Sequence, residues 1–269
     1  MKTVLPFLSL LLLAGGAEAA GVAPHRAIYD LTLLRATEGA QMRSAAGKLA
    51  FEVDGSRCEG YTVNFRMATK YRQESGESTL IDTLSTTYEN AAATELRHQS
   101  KESVNGTPRG SERITLNRKT AESEGTVELK SKPGEPFTVP AGTALPTQHQ
   151  LRLMALGEAG GGRDSSVVFD GSDGARPFRA IAFVGKQKPA GSNARDSANS
   201  AAAALKGSGS WPMTVSYYAL EGGSETPEYQ VSFDMYENGV ATGLVLDYGD
   251  FALSGTLADL KLLDEPVCP

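Results

Sequence analysis

The chain has 269 residues, with 26 Lys and Arg against 32 Asp and Glu, a net charge of −6 and 40% apolar residues. That apolar content suffices for a real core in one large domain or two small ones. The acidic balance argues against nucleic acid, which rewards clustered Lys and Arg, and against a polybasic grip on anionic lipid.

Residues 1–20 read as a secretory signal peptide. Lys2 gives a short positive start, an apolar run follows over residues 4–13, and Ala17-Glu18-Ala19 fits an A-x-A cleavage pattern. The run is too short for a membrane-spanning helix, which needs about 20 apolar residues. No Cys follows the cleavage site, so a lipid anchor there is not expected. Residues 21–269 are then a periplasmic, monomeric domain that is not integral to the membrane.

Period-two alternation dominates from residue 25 onward. Tyr29, Leu31 and Leu33 share one face; Leu49, Phe51 and Val53 do the same, as do Tyr61, Val63, Phe65 and Met67. Leu84, Thr86 and Tyr88 continue the style. Such segments are strands with one face in a core and one in water, typical of antiparallel sheets. Residues 96–130 are more polar. Short strands are expected around 114–116 and 127–129, separated by turns at Asn105-Gly106 and Glu124-Gly125. Their weak alternation suggests edge strands wet on both sides.

A helix is expected over residues 145–159, with Thr147 as N-cap and Gly160-Gly161-Gly162 as its stop. A hairpin follows, with strands at 167–170 and 178–184. Residues 187–210, rich in Gly, Ser and Ala, read as a flexible loop inserted in a single domain, with a short helix possible at 197–205. The last third is an antiparallel meander. Met213, Val215 and Tyr217 lead to Tyr229, Val231, Phe233 and Met235, then to an Asn238-Gly239 turn and the strands at 240–246 and 251–257. The fold class is therefore all-β, mainly antiparallel, with one or two short helices.

Two cysteines, Cys58 and Cys268, would both meet an oxidising compartment, where an even number reads as a bridge. Two buried free thiols are the alternative. There is no C-x-x-C for redox chemistry, and two Cys with three scattered His make a poor metal set. No cofactor or metal is expected.

Catalytic motifs are missing from the sequence: it has neither H-E-x-x-H nor G-x-S-x-G. Asp170 and Asp173 flank a Gly-rich turn and offer oxygen to Ca²⁺, but a hairpin turn wants the same residues. His149, in the first turn of the expected helix, is either a base or helix-end packing. His25 precedes the first strand. Trp211, Tyr217, Tyr218 and His149 are the candidates for a ligand or partner surface, with core packing as the plainer reading of the aromatics.

Several stretches together carry a resemblance: His25-Arg26-Ala27-Ile28-Tyr29-Asp30-Leu31, Cys58-Glu59-Gly60-Tyr61, Leu145-Pro146-Thr147-Gln148-His149, Phe169-Asp170-Gly171-Ser172-Asp173-Gly174, Trp211-Pro212-Met213 and the closing run over residues 228–268. In that order they resemble the EipB-like cell-envelope integrity proteins, periplasmic proteins of Gram-negative bacteria classed as a domain of unknown function. The resemblance covers essentially the whole mature chain. It implies a β-spiral, a long bent sheet that overlaps itself in a barrel-like way, and a disulfide between Cys58 and Cys268. It also implies a role in maintaining the envelope under stress, without an established enzymatic activity.

The expected function is non-enzymatic envelope maintenance through a protein partner, or through a lipid or lipoprotein held on the curved sheet. Two rivals stand beside it: an envelope hydrolase using His149 or His25 with a carboxylate, and a structural adaptor that docks a partner on a sheet edge.

Overall fold

A computed structural model describes residues 21–131, 134–172, 176–220 and 225–268. The signal-peptide residues lie outside the described ones. The first strands follow the alternation: β1 (His25–Ala36), β2 (Met42–Ser56), β3 (Gly60–Gln73) and β4 (Ser78–Glu89). Next come β5 (Glu95–Val104), β6 (Thr107–Arg118), β7 (Gly125–Leu129) and β8 (Phe137–Val139). Helix α1 (Pro146–Glu158) leads to β9 (Gly162–Val168) and β10 (Phe178–Val184). A short helix α2 (Ala194–Ser197) precedes β11 (Ser210–Ala219), β12 (Tyr229–Tyr236), β13 (Ala241–Asp247) and β14 (Phe251–Leu262).

All fourteen strands belong to one sheet, in the order β8-β7-β6-β5-β4-β3-β2-β1-β14-β13-β12-β11-β10-β9. Every strand pair is antiparallel. The first and last strands thus pair at the middle of the sheet, while β8 and β9, linked through α1, form its two ends. Those ends meet. Ala144, just past β8, bridges Val168 of β9 in parallel, with Ala144 N–H on the Val167 carbonyl (2.7 Å) and Phe169 N–H on the Ala144 carbonyl (3.0 Å). One such bridge turns a strongly bent sheet into a barrel-like body and covers edges that would otherwise be open.

The core confirms the bend, because one buried cluster joins strands that are far apart in the sheet order. Val53 and Tyr61 of β2 and β3 pack with Ala180, Trp211 and Met213 of β10 and β11. A second cluster unites Tyr29, Leu31, Leu49, Leu253 and Leu257. A third gathers Leu96, Ile114, Leu116, Val127 and Val139 under Leu145 and Phe169.

Several expectations need correction. The stretch at 96–130 is not wet on both sides, since Leu96, Ile114, Leu116 and Val127 are fully buried. The weak signal comes from the distal half of the β5–β6 hairpin, where residues 107–111 are exposed on both faces. In β4 the faces are reversed: Leu80 and Leu84 point outward, at 42% and 47% exposure. Strand β9 begins at Gly162 rather than residue 167 and ends at Val168.

Residues 187–210 are not a free loop. Ala202 and Leu205 insert into the core beside β14, and the buried Asp196 carboxylate accepts the hydroxyls of Tyr236 (2.8 Å) and Thr242 (2.6 Å). Small residues there pack closely rather than confer mobility.

Cys58, in the β2–β3 turn, is disulfide-bonded to Cys268 in the tail after β14, with Cα atoms 5.7 Å apart. Between them runs β1, which pairs with both β2 and β14.

Candidate functional site

Bending the sheet leaves a cavity of about 750 Å³ inside it. Its composition follows from which residues of adjacent strands face inward in register. Phe51, Phe65 and Ser85 form one row across β2, β3 and β4. Val53, Val63, Thr87 and His98 form the next, extending to β5. Each row runs from apolar to polar, so the wall grades from hydrocarbon at β2 and β3 to hydroxyl and imidazole at β4 and β5. Val231 and Leu246, paired across β12 and β13, add apolar surface opposite.

At the polar side His98 is the centre. Its Nδ1 lies 2.9 Å from the Thr87 hydroxyl. Burial pushes the imidazole below its usual range, against the pull of Asp170 and Glu112. The segment after β9 lies directly on it. At Gly171, which has φ of +80°, a Cβ would stand 2.7 Å from the His98 Cβ, so only glycine lets the backbone come this close. That approach brings Asp170, folded back on the Ser172 N–H (2.8 Å), to the cavity wall. Tyr229 completes this side. It stacks on Tyr217 at 4.4 Å, and Phe178 meets both rings edge-on. Burial and the nearby Asp170 both raise the Tyr217 hydroxyl far above the ordinary phenol range, so it stays protonated.

Helix α1 closes one end of the cavity with Pro146, Thr147 and Gln150. Its N-cap is Leu145, not Thr147. The capping group comes from elsewhere: the Glu89 carboxylate, on the last residue of β4, accepts the N–H groups of Thr147 (2.8 Å) and Gln148 (3.0 Å). Burial pushes Glu89 up to about 7, with the two N–H bonds and Arg118 pulling the other way. Arg118 is buried alongside, donating to the carbonyls of Ala93 (2.7 Å) and Thr143 (2.5 Å) and to Gln148 (3.2 Å).

The surface expected from the sequence is not assembled. Trp211 is a core residue, packed so tightly on Gly157 of α1 that a Cβ there would lie 2.7 Å from the indole. Tyr217 backs the cavity wall through Tyr229. Tyr218, its neighbour in the chain, lies under the Arg179 guanidinium at 5.1 Å, on the other face of the sheet as strand alternation requires. His149 is buried between α1 and β9, its Nε2 3.3 Å from the Asp164 carboxylate. The Ser166 hydroxyl donates to that same carboxylate at 2.7 Å rather than to the imidazole. The three side chains therefore form a structural clasp without the hydroxyl-to-imidazole link a nucleophile needs. His25 is buried, with Nδ1 2.7 Å from the Ala23 carbonyl. Burial lowers the pKa of both His25 and His149.

Asp173 lies outside the described residues, and among the described residues no group of three His, Cys, Asp or Glu is placed to hold a metal ion.

Reading the sequence missed His98, Glu89 and the inward row of β4. The available signal was the unusual polarity of one face, Ser85-x-Thr87-x-Glu89, in a strand otherwise rich in Leu, Ile and Tyr.

The EipB-like family model matches residues 16–264. The chain is 34% identical over 255 residues to the cell envelope integrity protein EipB of Brucella abortus (strain 2308), covering 93% of this chain and 88% of that protein. Among solved structures it is similar to a β-barrel-like protein of a domain of unknown function from Brucella abortus. That match has a TM-score of 0.82 and 30% identity, and covers 91% of this chain and 99% of the other.

Proposed function

The chain belongs to the EipB-like family, and we propose that it is an exported, periplasmic, non-enzymatic protein that supports cell-envelope integrity by holding a lipid, or the lipid part of a lipoprotein, inside its bent sheet. One observation carries the reading: a cavity of about 750 Å³ walled on one side by Leu49, Phe51, Val63, Phe65 and Met67. A preformed apolar cavity of this size falls in the range of small-molecule sites. Export is supported by the signal-like residues 1–20, and the envelope role by the name of the Brucella relative.

The hydrolase alternative has less support. His149 spends its contact on Asp164 outside the cavity lining, and His25 binds a backbone carbonyl. An adaptor working through an open edge is disfavoured by the Ala144–Val168 bridge between the sheet ends.

Two measurements test the proposal. Protein purified from envelope fractions without detergent should carry stoichiometric lipid on mass spectrometry, and protein free of any lipid would count against the carrier reading. A deletion strain should become sensitive to detergents and cell-wall antibiotics; unchanged sensitivity would reject the envelope role.

A further inference from the structure

We infer that the cavity selects an amphiphile whose head is a cationic amine, and discriminates against fatty acids and other anionic heads of the same chain length. The inference rests on the cavity reading above and adds the chemistry of the head.

The lining is mixed in polarity but one-sided in charge. Glu89, Asp170, Glu228 and Asp247 all contribute to it, and no Lys or Arg is among the described lining residues. The carboxylates are not equivalent. Asp247 is held by a bidentate contact with Arg35, at 2.6 and 2.7 Å, and Glu89 caps α1. Asp170 and Glu228 are different: among the described residues neither enters an ion pair. Both lie at the polar side, beside Tyr229, and Asp170 also lies near His98.

Nothing opposite offers compensation to an anion. His98 is neutral at pH 7, because burial disfavours its charged form. The N-terminus of α1 would be the natural anion site, with free N–H groups and a positive dipole end. The protein's own Glu89 already occupies it. An incoming carboxylate or phosphate would therefore be desolvated next to like charge, with no donor pair waiting. An ammonium head would meet Asp170, Glu228 and the face of Tyr229, while its chain lies on Phe51, Phe65 and Leu246. Aromatic faces add to the attraction for a cation.

The test uses three probes with the same twelve-carbon chain below their micelle concentrations: dodecylammonium, dodecanoate and the neutral dodecyl maltoside. Each displaces the uncharged dye N-phenyl-1-naphthylamine from the purified protein at pH 7.5. Dodecylammonium should displace it at a concentration at least about tenfold lower than dodecanoate does, a difference of about 1.4 kcal/mol. In the Asp170→Asn, Glu228→Gln double variant, checked for an unchanged melting temperature, the ratio should fall at least about threefold. A ratio below tenfold in the unaltered protein, or one that the double variant leaves in place, overturns the charge selection but leaves the cavity reading standing. Failure of the dye and of all three probes to bind overturns the cavity reading itself.

Discussion

The Glu89 carboxylate accepts the backbone N–H of Thr147 at 2.8 Å, across 58 residues of sequence. A strand end lining the cavity is thereby fastened to the helix that links the two ends of the sheet. The price is a carboxyl group taken out of water. Burial raises Glu89 from an ordinary 4.5 to about 7 in the folded chain. Between those values the folded state holds a proton that the unfolded state has released, so this group's contribution to stability falls as pH rises from about 4.5 to about 7. The full span corresponds to about 3 kcal/mol. Urea unfolding of the wild type and Glu89→Gln across pH 4.5–8 should show the wild type's advantage shrinking with pH. An advantage that grows with pH would mean that the ionised form, bonded to the helix terminus, is the stable one.

The Cys58–Cys268 bond spans 210 residues, which by loop entropy is worth up to about 5 kcal/mol. Strand β14 is already zipped to β1, so folded geometry does not depend on the bond; its effect falls on the unfolded chain. Reduction, or Cys58→Ser, should lower the melting temperature by about 5–10 °C, scaling from about 2–4 °C per kcal/mol with allowance for a less than ideal gain. It should also expose the tail after β14, where Val267 is 92% exposed, to proteolysis without loss of the sheet. A melting temperature unmoved by reduction would reject the clasp.

Legibility in the sequence followed the reach of the interactions. Strands such as β2 and β12 are written in period two because their apolar residues alternate against one core. The faces of β4 were misread because the rule assumes an apolar interior, whereas Ser85 and Thr87 face a cavity and Leu84 faces out. The cap of α1 was misassigned to Thr147 because a local rule cannot see Glu89. Residues 187–210 looked mobile by composition, yet Asp196 is anchored by hydroxyls more than 40 residues away or nearly so, at Thr242 and Tyr236. The cysteine pair was legible because chemistry and compartment leave few other uses for it.

Burial holds His149 below its ordinary pKa of 6.5, against the pull of Asp164. A group with a depressed histidine pKa supports the fold above about 6.5 and loses that support as pH falls below it, because the unfolded chain takes up the proton first. His149→Ala should lower stability by about 1–3 kcal/mol at pH 7.5, through the partner left on Asp164 and the lost packing. The acid side of the stability curve should flatten. Affinity for N-phenyl-1-naphthylamine should stay within about twofold, or about 0.4 kcal/mol, since His149 is outside the cavity lining. Loss of dye binding in a folded variant would return His149 to the functional site.

Filling the cavity separates carriage from mere shape. Val63 and Val231 belong to separate walls, β3 and β12, and both line the cavity. Both are only partly buried, so an indole can grow into open space rather than into a packed core. Overpacking a full core typically costs about 1–3 kcal/mol, whereas a cavity that is open should accept the added ring for less. Val63→Trp and Val231→Trp should therefore melt within about 3 °C of the wild type, a shift of about 1 kcal/mol. Each should weaken dye binding by at least about tenfold. In a deletion strain, a filled variant should be exported and stable yet fail to restore detergent resistance. Full rescue by the filled protein would place the envelope role on its outer surface and not in the cavity.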